Sequence, residues 1–234
     1  MGKQLIQQRR GRGTVKFRVR RQAYRYRSNY PTLEGKGVVV KIFNSCAHTA
    51  PLALIKMGKE KFLNFVPVGL SENQSIEVGP QSSITPGNIL PLAAIPLGTE
   101  IYNIEIVPYG GGKMVRTSGI SAKIVKKDDY GITVLLPSKK EKLFPLQARA
   151  TIGILAGGGR TEKPIVRAGK GWHMRHARGK IYARTSPIKM NAVAHPFGSG
   201  RGKHLGKSTI PPRFAPPGRK VGLIHARRTG RKKR

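Results

Sequence analysis

"SAKIVKKDDYGITVLLP" (Ser121 to Pro137) decides the fold class. Two apolar runs, Ala122 to Lys126 and Ile132 to Leu136, flank Asp128, Asp129 and Gly131. Short runs rich in Val and Ile on either side of an Asp/Gly turn read as a β-hairpin. The pattern continues outward, between Gly37 and Ile154, with runs at Val38 to Phe43, Leu52 to Met57, Phe62 to Val68, Thr99 to Val107 and Lys142 to Leu146. Each is bounded by Gly, Pro, Asn or Asp, and little has helical length. Parallel βαβ units would need helical segments between the strands, so an all-β chain of small barrels is expected. The cluster "VGPQSSITPGN" (Val78 to Asn88) is the expected boundary, giving one barrel over 36–87 and a second over 88–159. No internal repeat is evident.

Charge sets the ends of the chain apart. The 234 residues carry 45 Lys or Arg against 10 Asp or Glu, a net charge of +35. Residues 1–27 hold 10 basic groups and no acidic one, residues 28–155 hold 14 and 9, and residues 156–234 hold 21 and 1. After Glu162 no acidic residue occurs. Segments of this kind repel themselves and lack the apolar content for a core, so residues 1–35 and 160–234 read as basic extensions ordered by a polyanionic partner. Nucleic acid is that partner, and binding should weaken steeply as salt rises.

Other classes fit poorly. The single Cys46 gives no disulfide framework and suits a reducing compartment. The start "MGKQLIQQRRGRG" has no apolar signal core, and the longest apolar stretch, Ile89 to Leu97, is broken by Pro91 and Pro96. A cytoplasmic chain with no membrane association is expected. "GRGKHLGKS" approximates a phosphate-cradling loop, but position 201, where its first glycine belongs, is Arg201, and no acidic residue follows to hold magnesium. A zinc site built from Cys46, His48, His173 and His176 would contain only one thiolate. His195 has no neighbouring carboxylate to orient it as a base. The expectation is therefore no metal, no cofactor and no catalytic residue.

Candidate RNA-binding residues follow the basic segments. In the N-terminal extension Arg9, Arg10, Arg12, Lys16, Arg18, Arg20, Arg21, Arg25 and Arg27 interleave with Phe17, Tyr24, Tyr26 and Tyr30. Guanidinium planes and aromatic faces of this kind stack on unpaired bases, and Tyr24 is the aromatic candidate. The apolar residues do not gather at helical spacing, which disfavours a membrane-bound amphipathic helix. Two glycine triplets, Gly110 to Gly112 and Gly157 to Gly159, are followed by Lys113 and Arg116 and by Arg160 and Lys163. They either let an RNA backbone come close or simply mark flexible turns. "GWHMRHARGK" adds Lys170, Trp172, His173, Arg175, His176 and Arg178, and beyond it stand His195, Arg201, Lys203 and Lys207. In "PPRFAPPGRKVGLIHARRTGRKKR", prolines stiffen an extended path carrying Arg219, Lys220, Arg227, Arg228 and Arg231.

Five strings in order, "MGKQLIQQRRGRGT", "GGGKMVRTSG", "RATIGILAGGGRTEKP", "KMNAVAHPFGSG" and "APPGRKVGLIHARRTGR", closely resemble the family of universal large-subunit ribosomal protein two in its archaeal and eukaryotic form. The resemblance covers essentially the whole chain. It implies an OB-fold barrel followed by a Src-homology-3-like barrel, with extensions that penetrate large-subunit ribosomal RNA. It implies a primary RNA-binding protein supporting subunit association, tRNA placement and the peptidyl-transferase centre, with other large-subunit proteins as neighbours, tRNA and the small subunit met indirectly, and no homo-oligomer. His195, with Pro196 and Phe197, matches the family histidine held near that centre, where the chemistry belongs to RNA. The chain departs from the family pattern at Ala194, where an acidic residue is common, at Ser199, where glycine is, and at Tyr109 and Gly110, where Asp is. A DNA-compacting architectural protein and a nucleotide-dependent enzyme are the rival readings; the first should bind duplex DNA about as well as RNA.

Overall fold

The computed structural model describes residues 2–200 and 205–226. Its backbone separates into a body, Arg21–Val166, and a second unit formed by Met1–Arg20 together with Arg167–Arg234.

The body contains twelve strands: β1 (Gly35–Phe43), β2 (Leu52–Met57), β3 (Glu60–Phe65), β4 (Ser75–Val78), β5 (Ile89–Pro91), β6 (Glu100–Tyr102), β7 (Ile104–Glu105), β8 (Gly112–Met114), β9 (Ala122–Asp128), β10 (Gly131–Leu135), β11 (Glu141–Phe144) and β12 (Arg149–Ile152). Ten pair in the order β11-β10-β9-β6-β12-β5-β4-β1-β2-β3, and β7 pairs with β8. Every pairing is antiparallel except β4 with β5, which meet in parallel at Val78 and Ile89 alone. A stretch rich in Pro, Gly and Ser, with two turns closed by Ser82 N–H to Gly79 O and Asn88 N–H to Thr85 O, lies between those two residues in the chain. Antiparallel ladders dominate because hairpin turns join consecutive strands without a covering helix.

The Ser121 to Pro137 segment forms a hairpin. Asp128 pairs with Gly131, leaving Asp129 and Tyr130 as a two-residue loop. Gly131 answers a packing demand as well, since a Cβ there would sit 2.7 Å from the Phe144 carbonyl oxygen of β11. The run Thr99 to Val107 behaves differently from the single strand its pattern suggests. It breaks at Asn103, whose φ of 51° lies in the left-handed region that Asn tolerates, so that β6 and β7 join different sheets.

One apolar cluster runs through the body: Leu52 and Phe65 from β2 and β3 pack with Leu90, Ile101, Ile124, Ile132, Val134, Phe144 and Ile152. Val39, Ala53, Ile55 and Ile76 form a smaller cluster under β1. Both are built from the inward positions of alternating strands.

Among the described residues of the second unit, α1 (Ile6–Gly11) and α2 (Ala168–Ala177) are the α-helices. The N-terminal segment docks on the C-terminal one: Lys3 donates its backbone N–H to Val193 O at 2.7 Å, and Leu5 is buried. Gly179, at φ 63°, lets Phe17 and Arg18 approach so closely that a Cβ would stand 2.8 Å from Phe17 O. Among the described residues no helix is long and apolar enough to cross a membrane.

Candidate nucleic-acid interface

Most of the described cations of the second unit are exposed. Arg9 and Arg10 fill the last turn of α1, Arg12 follows it, and Lys16, Arg18 and Arg20 are exposed beyond it. In α2 the basic residues Arg175 and His176 occupy the last turn, where positive charge suits the helix dipole. Trp172 and His176, one turn apart, stack at 4.4 Å with an interplanar angle of 14°, and His173 meets the indole edge-on at 4.8 Å. Arg175 lies over the Tyr182 ring at 5.4 Å, and that ring packs on buried Gly171. Lys170, Trp172 and His173 are exposed, while Arg178 is half-buried. Lys207 and Arg219 are also exposed, and half-buried Lys220 donates to Arg213 O at 3.0 Å. Arg201, Lys203, Arg227, Arg228 and Arg231 lie outside the described residues.

On the body, Arg21, Tyr24, Arg25, Arg27, Lys113, Arg160 and Lys163 are exposed. Tyr24 meets the His48 ring edge-on at 5.8 Å. Arg116 is placed otherwise. Its guanidinium donates to Gly112 O (3.0 Å) and Ser28 Oγ (2.5 Å) and lies over Phe65 at 4.8 Å. Burial pushes its pKa below the ordinary arginine value. Tyr30, one of the aromatics interleaved with arginine, is likewise an anchor of the body: its hydroxyl donates to Asn103 O at 2.6 Å and pairs with Thr151 Oγ1 at 2.7 Å. Desolvation drives that phenol's pKa up.

Each glycine triplet has one member held close to the chain itself. A Cβ on Gly112 would collide with the Asn103 carbonyl and amide, and one on Gly119 would stand 2.5 Å from Gly158 Cα. Gly110, Gly157, Gly158 and Gly159 are exposed. The first turn is held by Glu105, which is fully buried. Its carboxylate accepts from the N–H groups of Tyr109 (3.2 Å), Gly111 (3.0 Å) and Arg149 (3.0 Å) and forms an ion pair with the Arg149 guanidinium at 2.9 Å. Arg149 in turn lies between the Tyr30 and Tyr109 rings, at 5.3 and 4.9 Å. Tyr109 adopts φ 59°, a strained value for an aromatic residue, fixed by this clasp from both its backbone and its ring. The effect is a rigid mount that leaves Lys113 exposed. Glu105 and Arg149 stand 44 residues apart and give no local sequence signal.

His195 sits in a tight turn. Its N–H donates to Asn191 O at 3.2 Å, its carbonyl accepts from Gly198 N–H at 2.8 Å, and Nδ1 accepts from Phe197 N–H at 3.1 Å. The neutral ring therefore carries its proton on Nε2. Burial lowers its pKa, which favours that neutral form. Ser199 occupies φ 66°, the conformation in which glycine is unstrained. No carboxylate contacts this histidine among the described residues, and no group of three or more His, Cys, Asp or Glu gathers there in a metal-binding arrangement.

Residues 85–214 match the family model described as Ribosomal Proteins L2, C-terminal domain. The chain is 45% identical over 241 residues to the large ribosomal subunit protein uL2 of Methanococcus maripaludis, covering 99% of this chain and 100% of that protein. It is 45% identical over 243 residues to the protein of the same name from Methanothermobacter thermautotrophicus, covering all of both chains.

Proposed function

This chain belongs to the large ribosomal subunit protein uL2 family, and from that premise we propose that it is a structural, ribosomal RNA-binding constituent of the large subunit in the cytoplasm. One observation carries the reading beyond the family: the unit formed by Met1–Arg20 and Arg167–Arg234 holds 26 Lys or Arg and not one Asp or Glu. Such a surface neutralises crowded phosphates that would otherwise repel one another. RNA is favoured over duplex DNA by the aromatic group at Trp172, which suits unpaired bases.

In this reading the strands of 36–87 form an OB-fold barrel and those of 88–159 a Src-homology-3-like barrel. The lone parallel pairing of Val78 with Ile89 between two antiparallel groups supports that division. The extensions 1–35 and 160–234 reach into ribosomal RNA, and other large-subunit proteins are neighbours. His195 and Phe197 stand near the peptidyl-transferase centre as positioning groups, so that the protein supports subunit association and tRNA placement while RNA performs the chemistry. The protein acts as a single copy, without cofactor.

The test is sedimentation of the native protein from lysate through a high-salt sucrose gradient, with and without ribonuclease. Comigration with the large subunit, abolished by ribonuclease, is the expected result. Migration at the top of the gradient or with chromosomal DNA would replace this reading with the architectural one.

A further inference from the structure

Within the second unit, a cavity of about 240 Å³ opens between α1 and the His195 turn. Leu5, Ile6, Met190 and Ala194 give it an apolar wall, and Lys3, Arg9 and Arg184 contribute the charge. His195 closes one side. We infer that this cavity is a socket for one unstacked nucleobase of the RNA, with the three cations holding the phosphates on either side of it; the inference rests on the RNA-binding reading above and narrows it to a place.

The chemistry of the wall selects the occupant. A bare phosphate gains nothing from Leu5, Ile6 and Met190, and an apolar peptide gains nothing from three cations in a unit without a single carboxylate. A nucleotide offers both halves, a flat ring with apolar faces and an anionic backbone. Size points the same way, because the volume falls below the roughly 300–1,000 Å³ of sites for drug-sized ligands and suits a single ring system. The small side chain of Ala194 leaves the space open.

His195 supplies direction. Nδ1 is occupied by the Phe197 N–H, which leaves Nε2–H as the polar atom that the ring can offer to an acceptor on a base edge. A donor held by a hydrogen-bonded turn reads a base better than a lysine does, since it does not swing. Leu5 is fixed for the same purpose: Gln8 Oε1 accepts its N–H at 2.8 Å, and the neighbouring Lys3 N–H is tied to Val193 O.

The experiment uses large subunits purified from cells that make the full chain. Ultraviolet irradiation of these subunits, followed by digestion and mass spectrometry, should yield a peptide from residues 184–195 or 3–9 carrying a single nucleotide, always from the same position of the RNA. Subunits containing Ala194→Phe should lose that adduct, and the same nucleotide should become as reactive to base-specific chemical probes as unpaired nucleotides elsewhere. Wild-type subunits whose adducts fall only on other basic segments would overturn the inference, whether or not the Ala194→Phe chain assembles. Failure of the wild-type chain to sediment with the large subunit is a different result, which removes the ribosomal reading itself.

Discussion

The two units solve opposite problems with the same chain. The body, with 19 basic and 10 acidic residues, hides its one fully buried carboxylate, Glu105, beneath a cation and builds an apolar core around it. The second unit has 26 basic residues, no carboxylate, and only Leu5, Gly171 and His195 buried among its described residues. Burial of apolar area stabilises the first from within. The second has little of that to offset its own repulsion, and in the proposed function the anions that offset it belong to RNA. In that reading stability and binding are divided between regions, and each can be damaged alone.

That division yields four predictions. Deleting residues 167–234 removes 19 basic groups, and ribosomal RNA affinity should fall by about a thousandfold or more at physiological salt, with a much shallower dependence on salt concentration. An unchanged salt slope in filter-binding titrations would move the binding to the body. Glu105→Ala should act in the opposite compartment. It strands the Arg149 guanidinium and leaves the N–H groups of Tyr109, Gly111 and Arg149 without their acceptor, at a cost of about 3–5 kcal/mol in urea unfolding, while folded molecules keep their RNA affinity.

Tyr30→Phe removes one hydroxyl from the same body and should cost about 1–3 kcal/mol, again without weakening RNA binding. If RNA binding fell while stability held, Tyr30 would belong with the stacking aromatics of the arm. The smallest effect concerns His195. Its pKa is lowered in the folded turn, so as pH falls through the ordinary value of 6.5 the unfolded chain takes up a proton that the folded one resists. The turn from Asn191 to Ser199 should be fully protected from protease above that pH and progressively less so below it. His195→Gln should flatten the dependence.

Much of the body was legible because its information is local. The alternation in Ala122 to Leu135, with an Asp-rich turn between the halves, was enough to find β9 and β10. Where a distant contact overrides the local pattern, the reading fails. Asn103 breaks an apolar run in response to Tyr30 and Asn64, neither of which is near it in sequence. Gly169 and Gly171, each costing about 1 kcal/mol relative to Ala in a helix, make the α2 segment read as a loop, whereas Gly171 is the residue on which Tyr182 packs. The candidate interface divides in the same way. Clustered cations were visible in composition, but the internal employment of Arg116, and the part of Ala194, Lys3 and Arg184 in a cavity, depend on which segments meet.

The hydrogen bond from Lys3 to Val193 also has a direction in time. A chain made from its N-terminus at about 5–20 residues per second presents its first twenty residues, with seven cations, for roughly ten seconds or longer before Val193 exists to receive them. Throughout that interval the leading segment is a bare polycation beside the polyanion that is translating it. Whichever anion it meets then has no competitor from its own chain, so the schedule of synthesis, as much as affinity, governs what the first twenty residues hold when the last seventy arrive.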